Sequence, residues 1–262
     1  MWVVLYLVGV VAILLAGQTL ILRAMGHPFQ WGLGATSAHP KSVKLALKVL
    51  LQTTLIGSIL LFPSLRGVSI PAYYGPLFPA AGRVQFLYGE VIALVILATI
   101  YGLGLATKGL FWKARWPASK ALVKSGLSAL SSLTVVSVEE PFFRAILLKT
   151  MLDTGVHWAV AIPVSAVLFS GAHYLRRVRT YWPSVGLAVL GIWLGVAFYK
   201  TGSLWLPMGL HSGGILSIGI HRCFINYRGP EWLVGTQTYP IAGVAAIAFM
   251  LVGATITWLL FS

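Results

Sequence analysis

Apolar residues run along this chain in long unbroken stretches rather than in alternation with polar ones. The first, MWVVLYLVGVVAILLAGQTLIL, carries no charged side chain over residues 1–22, enough for a helix to cross a bilayer core of about 30 Å. Seven further stretches follow near 43–63, 86–107, 126–148, 157–175, 182–200, 203–222 and 240–261. Runs of this length predict helices, because the strands of a membrane barrel would alternate in short segments. Lipid offers the backbone no hydrogen-bond partners, so each run must satisfy its own N–H and C=O groups. The expected fold is therefore all-α: a polytopic membrane bundle of about eight transmembrane helices forming a single domain over 1–262. The first stretch lacks the basic start and short apolar region of a cleaved signal peptide and reads as a retained helix.

The joining segments carry loop chemistry. PSLRGVSIPAYYGPLFPAAGR, rich in proline, glycine and aromatics, suits an interfacial or partly re-entrant loop. KGLFWKARWPASKALVK, basic and aromatic, suits a connection lying on the membrane surface. Small residues four apart, Gly191 with Gly195 and Gly209 with Gly213, predict close helix packing.

Composition agrees with the pattern: 58% of residues are hydrophobic and 9% charged, against about a quarter charged in ordinary globular domains. A net charge of +14 would suggest nucleic acid in a soluble protein, but these basic residues lie in loops, where they meet anionic headgroups. No nucleic-acid partner is expected. The odd-numbered connections and their end turns hold Arg23, Lys41, Lys44, Lys48, Lys108, Lys113, Arg115, Lys120, Lys124, Arg176, Arg177, Arg179, Arg222 and Arg228. The even-numbered ones hold Arg66, Arg83, Lys149 and Lys200. With eight spans, that asymmetry predicts odd connections in the cytoplasm and both termini outside, in the plasma membrane if the host is bacterial. The single Cys223 excludes an intrachain disulfide and a cysteine-rich zinc site.

One basic residue remains, Arg144, and it lies inside an apolar stretch with two of the five acidic residues: SVEEPFFRAI, residues 137–146. A charge at mid-membrane costs roughly 2.5–3.5 kcal/mol on insertion scales, so three together call for a reason. Glu140 and Arg144 are four apart and share a helical face, which predicts an ion pair. Glu139 lies about 100° further round, away from Arg144. Pro141 lacks an N–H and would clash with the Ser137 carbonyl in a regular helix, so the helix should bend or open beside the carboxylates. A carboxylate placed there can act as a general base.

Two histidines share the predicted bundle. His173 ends VLFSGAH, with Phe169 one turn earlier on the same face, and His211 lies in LPMGLHSGG. Counted along their spans, Glu139 and His211 fall at similar depth, whereas His173 comes out two to three turns nearer the cytoplasm. His27, His39, His157 and His221 have no assigned chemistry, and Glu90 is expected to reach toward the interface. Asp153 and Glu231 read as loop residues.

Together, EEPFFR, FSGAH and HSGGI resemble, in order, the EExxxR, FxxxH and late-histidine motifs of the CPBP family of intramembrane proteases. That family includes type II CAAX prenyl endopeptidases and bacteriocin-processing or immunity (Abi-like) proteins. The resemblance covers the motif-bearing core, about 120–225. It implies Glu139 as the base that activates water, His173 as a holder of that water, and His211 as stabiliser of the oxyanion, with Glu140, Arg144 and Phe169 in support. Many members have asparagine four residues after the last histidine; here the residue is Ile215. Losing one oxyanion donor typically costs 10²–10³ in rate, and Ser212, Ser217 or a backbone N–H near Gly213 and Gly214 are the candidate substitutes.

The expected function is an intramembrane endopeptidase acting on a peptide or lipidated protein within the bilayer. The residues leave two mechanisms open: a glutamate base with histidine donors, and a zinc ion held by Glu139, His173 and His211 with water in the fourth position. Resemblance leans to the first, with no cofactor firmly required. The alternatives are a non-catalytic immunity or membrane chaperone-like protein of the same fold and, from another class, a proton-coupled transporter. The transporter should show related halves with broken helices, and no such repeat is evident in the sequence.

Overall fold

The computed structural model describes residues 2–29, 39–75, 79–176, 181–237 and 239–261. Helices dominate them: α1 Trp2–Ala24, α2 Lys41–Leu65, α3 Ile70–Tyr74, α4 Ala80–Ala106, α5 Ala118–Glu140, α6 Lys149–Asp153, α7 Trp158–Arg176, α8 Tyr181–Thr201, α9 Trp205–Phe224, α10 Glu231–Val234 and α11 Val244–Leu260. A π-helical segment, Pro141–Leu148, joins α5 to α6, and a 3₁₀ turn, Pro240–Ala242, precedes α11. All eight apolar stretches fall on helices. Five are long and apolar enough to cross a membrane, and α7 and α11 are shorter apolar helices. The molecule is an all-α multi-pass membrane bundle.

The glycine spacings set how closely the helices meet. On α9, a methyl group at Gly209 would overlap the Phe86 carbonyl of α4, and one at Gly213 would come within 2.7 Å of the Glu90 carbonyl oxygen. On α8, Gly191 and Gly195 do the same against Ala166 and Ile162 of α7. Packing at backbone contact is the usual route to helix association in lipid. Here it draws α4 onto α9 and α7 onto α8, and α5 packs on α9 as well.

One detail departs from the pattern-based expectation. The basic connection after α4 contributes a strand, β1 Leu110–Trp112, paired antiparallel with β2 Ile225–Tyr227 after α9. A three-residue strand gives no periodic signal. The pairing places the third and seventh connections on one side of the bundle, as the alternation of spans requires. The aromatic loop after α2 does reach the bundle: Tyr73 of α3 donates its hydroxyl to the carbonyl oxygen of Ala145, 2.7 Å away in the π-helical segment.

Candidate functional site

Pro141 accounts for the shape of the helix at its two carboxylates. Without an N–H at that position the α-helical ladder cannot continue, and the next eight residues wind as a π-helix in which Lys149 N–H bonds back to Arg144 C=O. Single π turns commonly mark functional sites. The expected opening beside Glu139 and Glu140 is thus present as a wider helix.

Glu140 and Arg144 are completely buried, and Arg144 Nε lies 3.0 Å from Glu140 Oε2. Arg144 Nη1 donates to Ser165 Oγ at 3.1 Å, and that hydroxyl donates to the Phe143 carbonyl at 3.1 Å. The other Glu140 oxygen, Oε1, receives His211 Nδ1 at 2.7 Å. One carboxylate therefore ties α5, the π segment and α9 together, through Arg144 and His211.

Glu139 faces the histidines instead. His173 Nε2 lies 3.7 Å and His211 Nε2 4.0 Å from Glu139 Oε2. A single water about 2.8 Å from both members can bridge either gap. His173 Nδ1 lies 2.9 Å from the Phe169 carbonyl oxygen, which accepts its proton and turns Nε2 toward Glu139 as an acceptor. The fully buried Phe169 ring meets both histidines, with centroids 4.6 Å from His173 and 5.6 Å from His211. It also lies edge-on to Phe143, and the Arg144 guanidinium carbon is 5.3 Å from its centroid. All six residues singled out from the sequence converge.

The depth expected for His173 is corrected by this geometry. The helix bearing Glu139 continues through the π segment to Asp153, and α7 returns from Trp158 after a short turn. Glu139 is fourteen residues before Asp153 and His173 fifteen after Trp158, so the two arms of the hairpin bring them level. Counting from opposite ends of the spans hid this.

A family model described as type II CAAX prenyl endopeptidase Rce1-like matches residues 121–214. That stretch is little more than a third of the chain, and over it the sequence is similar to that family. The match takes in every site residue above and stops one position short of Ile215. No curated protein and no solved structure matches the chain. The similarity to type II CAAX prenyl endopeptidases is confined to that segment.

Within the Rce1-like segment, the atoms available to a metal would be Glu139 Oε2 and the two Nε2 atoms. Tetrahedral zinc with bonds of about 2.0–2.1 Å needs donors about 3.3 Å apart. The separations of 3.7 and 4.0 Å exceed that, and among the described residues no group of three or more His, Cys, Asp or Glu is set to hold a metal. The arrangement as it stands does not fit zinc.

Glu139, His173 and His211 line one end of a cavity of about 910 Å³. Its walls are mainly apolar, including Leu97, Leu187, Trp193, Ile215 and Met250. One face of α9 runs its whole length, from His211 through Ile215 and Ile218 to Arg222. Two proposed stand-ins for the missing asparagine have other partners. Ser212 Oγ donates to Glu90 Oε1 at 2.7 Å, with Ser132 Oγ 3.0 Å away, while Ser217 is buried and off the cavity wall. Of the groups suggested, Gly214 lines the cavity.

Glu90 thus points inward from α4 and braces the residue next to His211, contrary to the expected reach toward the interface. Its signal was the face it shares with Phe86, which the glycines of α9 contact. Ser165 was also missed; it precedes Phe169 and His173 by four and eight residues on one stripe of α7.

Proposed function

We propose that this chain is an intramembrane endopeptidase in which Glu139 activates water for attack on a peptide bond. The observation that carries the reading is Glu139 Oε2 facing both histidine Nε2 atoms, 3.7 and 4.0 Å away, in the wall of a cavity. His173, its Nδ1 proton committed to Phe169, accepts one hydrogen bond from the water. Glu139 takes the other proton as the water oxygen bonds to the carbonyl carbon. His211 gives its Nδ1 proton to Glu140 and, when doubly protonated, offers Nε2–H to the developing oxyanion. Two anions and two cations then balance: Glu139 and Glu140 against Arg144 and His211. Collapse of the intermediate breaks the C–N bond, and the proton held by Glu139 passes to the leaving amine.

The substrate class suggested by the Rce1-like match is a membrane-associated or prenylated peptide, whose apolar part the cavity walls would accept. Charge asymmetry favours both termini outside, with the Arg222 end of α9 toward the cytoplasm. Ile215 is the observation favouring the second reading, a non-catalytic relative of the same fold. The deciding experiment is cleavage of a lipidated peptide by purified protein. Glu139→Gln should lower turnover by about 10²–10⁴ with melting nearly unchanged. Turnover within about tenfold of the parent would remove Glu139 as the base.

A further inference from the structure

The first two helices close on each other at one end and leave a groove toward the other. Leu22, Val43 and Leu47 form a small buried cluster, and a methyl group at Gly17 would lie 2.7 Å from Leu50 Cδ1. Nearer the start of α1, a second cavity of about 920 Å³ lies on residues between Leu5 and Ile13 of α1 and between Thr54 and Arg66 of α2. Tyr6 crosses between the helices there: its hydroxyl donates to the Ser58 carbonyl at 2.8 Å, and its ring meets Phe62 edge-on, centroids 4.8 Å apart. Gly9 and Gly57 both line the groove, and a methyl group at either would meet nothing within 4 Å. The glycines of the α4–α9 and α7–α8 seams are pressed against a neighbour instead. Glycine inside a helix is less favourable than any residue but proline, yet these two keep open a space that the chain itself does not fill. Thr150 of α6 completes the lining, its hydroxyl buried with no hydrogen-bond partner among the described residues. Tyr73 beside it donates to the Ala145 carbonyl instead. Arg66, which caps α2, is exposed and is the one charged side chain among the described lining residues.

We propose that this groove holds one anionic phospholipid, its phosphate on Arg66 and an acyl chain between Gly9 and Gly57. The length fits. Thr54 and Arg66 are twelve residues apart along α2, a rise of about 18 Å, and half of a hydrocarbon core of about 30 Å is one leaflet. The groove therefore runs about one leaflet deep, from the side on which α1 begins. Its chemistry is graded as a lipid's is: the walls are mainly apolar as far as Leu65, and the cation follows. Arginine's planar fork receives a phosphate in two parallel hydrogen bonds. Thr150 lies three residues before the end of α6 at Asp153, near the same surface, where the ester carbonyl oxygens of a lipid can accept its hydroxyl proton. A zwitterionic lipid carries the same phosphate, but its own cation competes with Arg66, so a headgroup of net negative charge is favoured. The groove shares no lining residue with the cavity at Glu139, and the proposal does not rest on the proteolytic reading.

Native mass spectrometry tests this on the full chain in uncharged detergent, titrated with phosphatidylglycerol or with phosphatidylcholine of the same acyl chains. One phosphatidylglycerol should bind at least about tenfold more tightly than those that follow it, and than phosphatidylcholine. Gly9→Leu combined with Gly57→Leu fills the groove from two open positions. It should remove that one lipid and leave the weaker ones, which meet the basic loops, unchanged. Melting of the lipid-free variant should be equal or higher, since leucine is the better helix former. Arg66→Gln should bring the two headgroups within about twofold of each other; an undiminished preference in that variant overturns the phosphate contact. The titration of the parent protein needs no variant to fold, and equal binding of the two lipids, or no lipid tighter than the rest, overturns the site. A tight lipid that survives the two leucines lies on the basic loops and overturns it too. So does a dimer of the parent that the leucines abolish, which would make the groove an interface between two copies.

Discussion

Two ion pairs at the same four-residue spacing lie little more than two turns apart along one continuous run of helix. Glu140 and Arg144 have no exposed side-chain surface, and their charged atoms are 3.0 Å apart. Lys149 and Asp153 are closer, 2.6 Å, but their side chains are 38% and 39% exposed. Distance ranks the second pair first, and energetics reverse the order. In water each partner of the exposed pair is well solvated when apart, so the contact adds little. In the bundle neither partner has that option, and removing one strands the other. The deeper pair is also embedded: Glu140 accepts from His211, and Arg144 donates to Ser165. The same sequence spacing is thus ornament at one site and framework at the other, and burial decides which.

The comparison breaks first at the buried pair. Glu140→Ala or Arg144→Ala alone should destabilise by about 3–5 kcal/mol, because each leaves an uncompensated buried charge. The double variant should recover part of that loss. A double-mutant cycle on thermal unfolding in detergent measures the coupling, and additive losses would mean that the two charges do not act as a pair.

The next effect introduces a polar group at an apolar point of the cavity wall. Ile215 lines the wall one turn from His211. Ile215→Asn places an amide on that face. A well-aimed donor stabilises an oxyanion by about 2.7–4 kcal/mol, whereas an unmade hydrogen bond there costs about 1–3 kcal/mol. Turnover should therefore rise by less than about a hundredfold, with a small loss of stability. Unchanged or lower turnover in folded protein would show that another group, such as the backbone at Gly214, already meets the oxyanion.

Glu90 falls between the two pairs, half-buried and hydrogen-bonded to a neutral hydroxyl. Glu90→Ala should cost about 1 kcal/mol, because Ser212 loses a charged acceptor and keeps only Ser132 Oγ, 3.0 Å away. Glu90→Gln keeps an oxygen in place and should recover most of that. Equal losses from the two substitutions would show that packing of α4 on α9, rather than the hydrogen bond, fixes the residue beside His211.

What could be read from the chain alone divides along the same line as the two ion pairs. Helices and the Glu140–Arg144 pair were legible because lipid makes polar exceptions expensive, so each one stands out against an apolar background. The convergence of Glu139, His173 and His211 was legible as chemistry but not as depth, since the count depends on where the turn at 154–157 lies. Glu90 and Ser165 were not legible as site residues: one glutamate near a predicted span end and one serine in a helix are ordinary. Their roles come from which helix faces which, set by the glycine seams. The β1–β2 pairing was hidden because three-residue strands have no period to read.

The smallest expected effect tests the other half of the comparison. Lys149 and Asp153 have favourable geometry, at 2.6 Å on one helical face. Lysine before aspartate at this spacing is the weaker orientation relative to the helix dipole. Both side chains must also give up rotamer freedom to meet. Their coupling should therefore lie below about 1 kcal/mol at low salt and shrink further as ionic strength shortens the screening length to about 3 Å at 1 M. The coupling between Glu140 and Arg144, out of reach of salt, should not change over the same range. Melting in detergent at low and high salt, for both cycles side by side, reads the difference directly. A salt-insensitive coupling of several kcal/mol at Lys149–Asp153 would mean that this end of the helix is shielded from water by lipid or by another chain, and burial of the surroundings would then outrank the exposure of the side chains themselves.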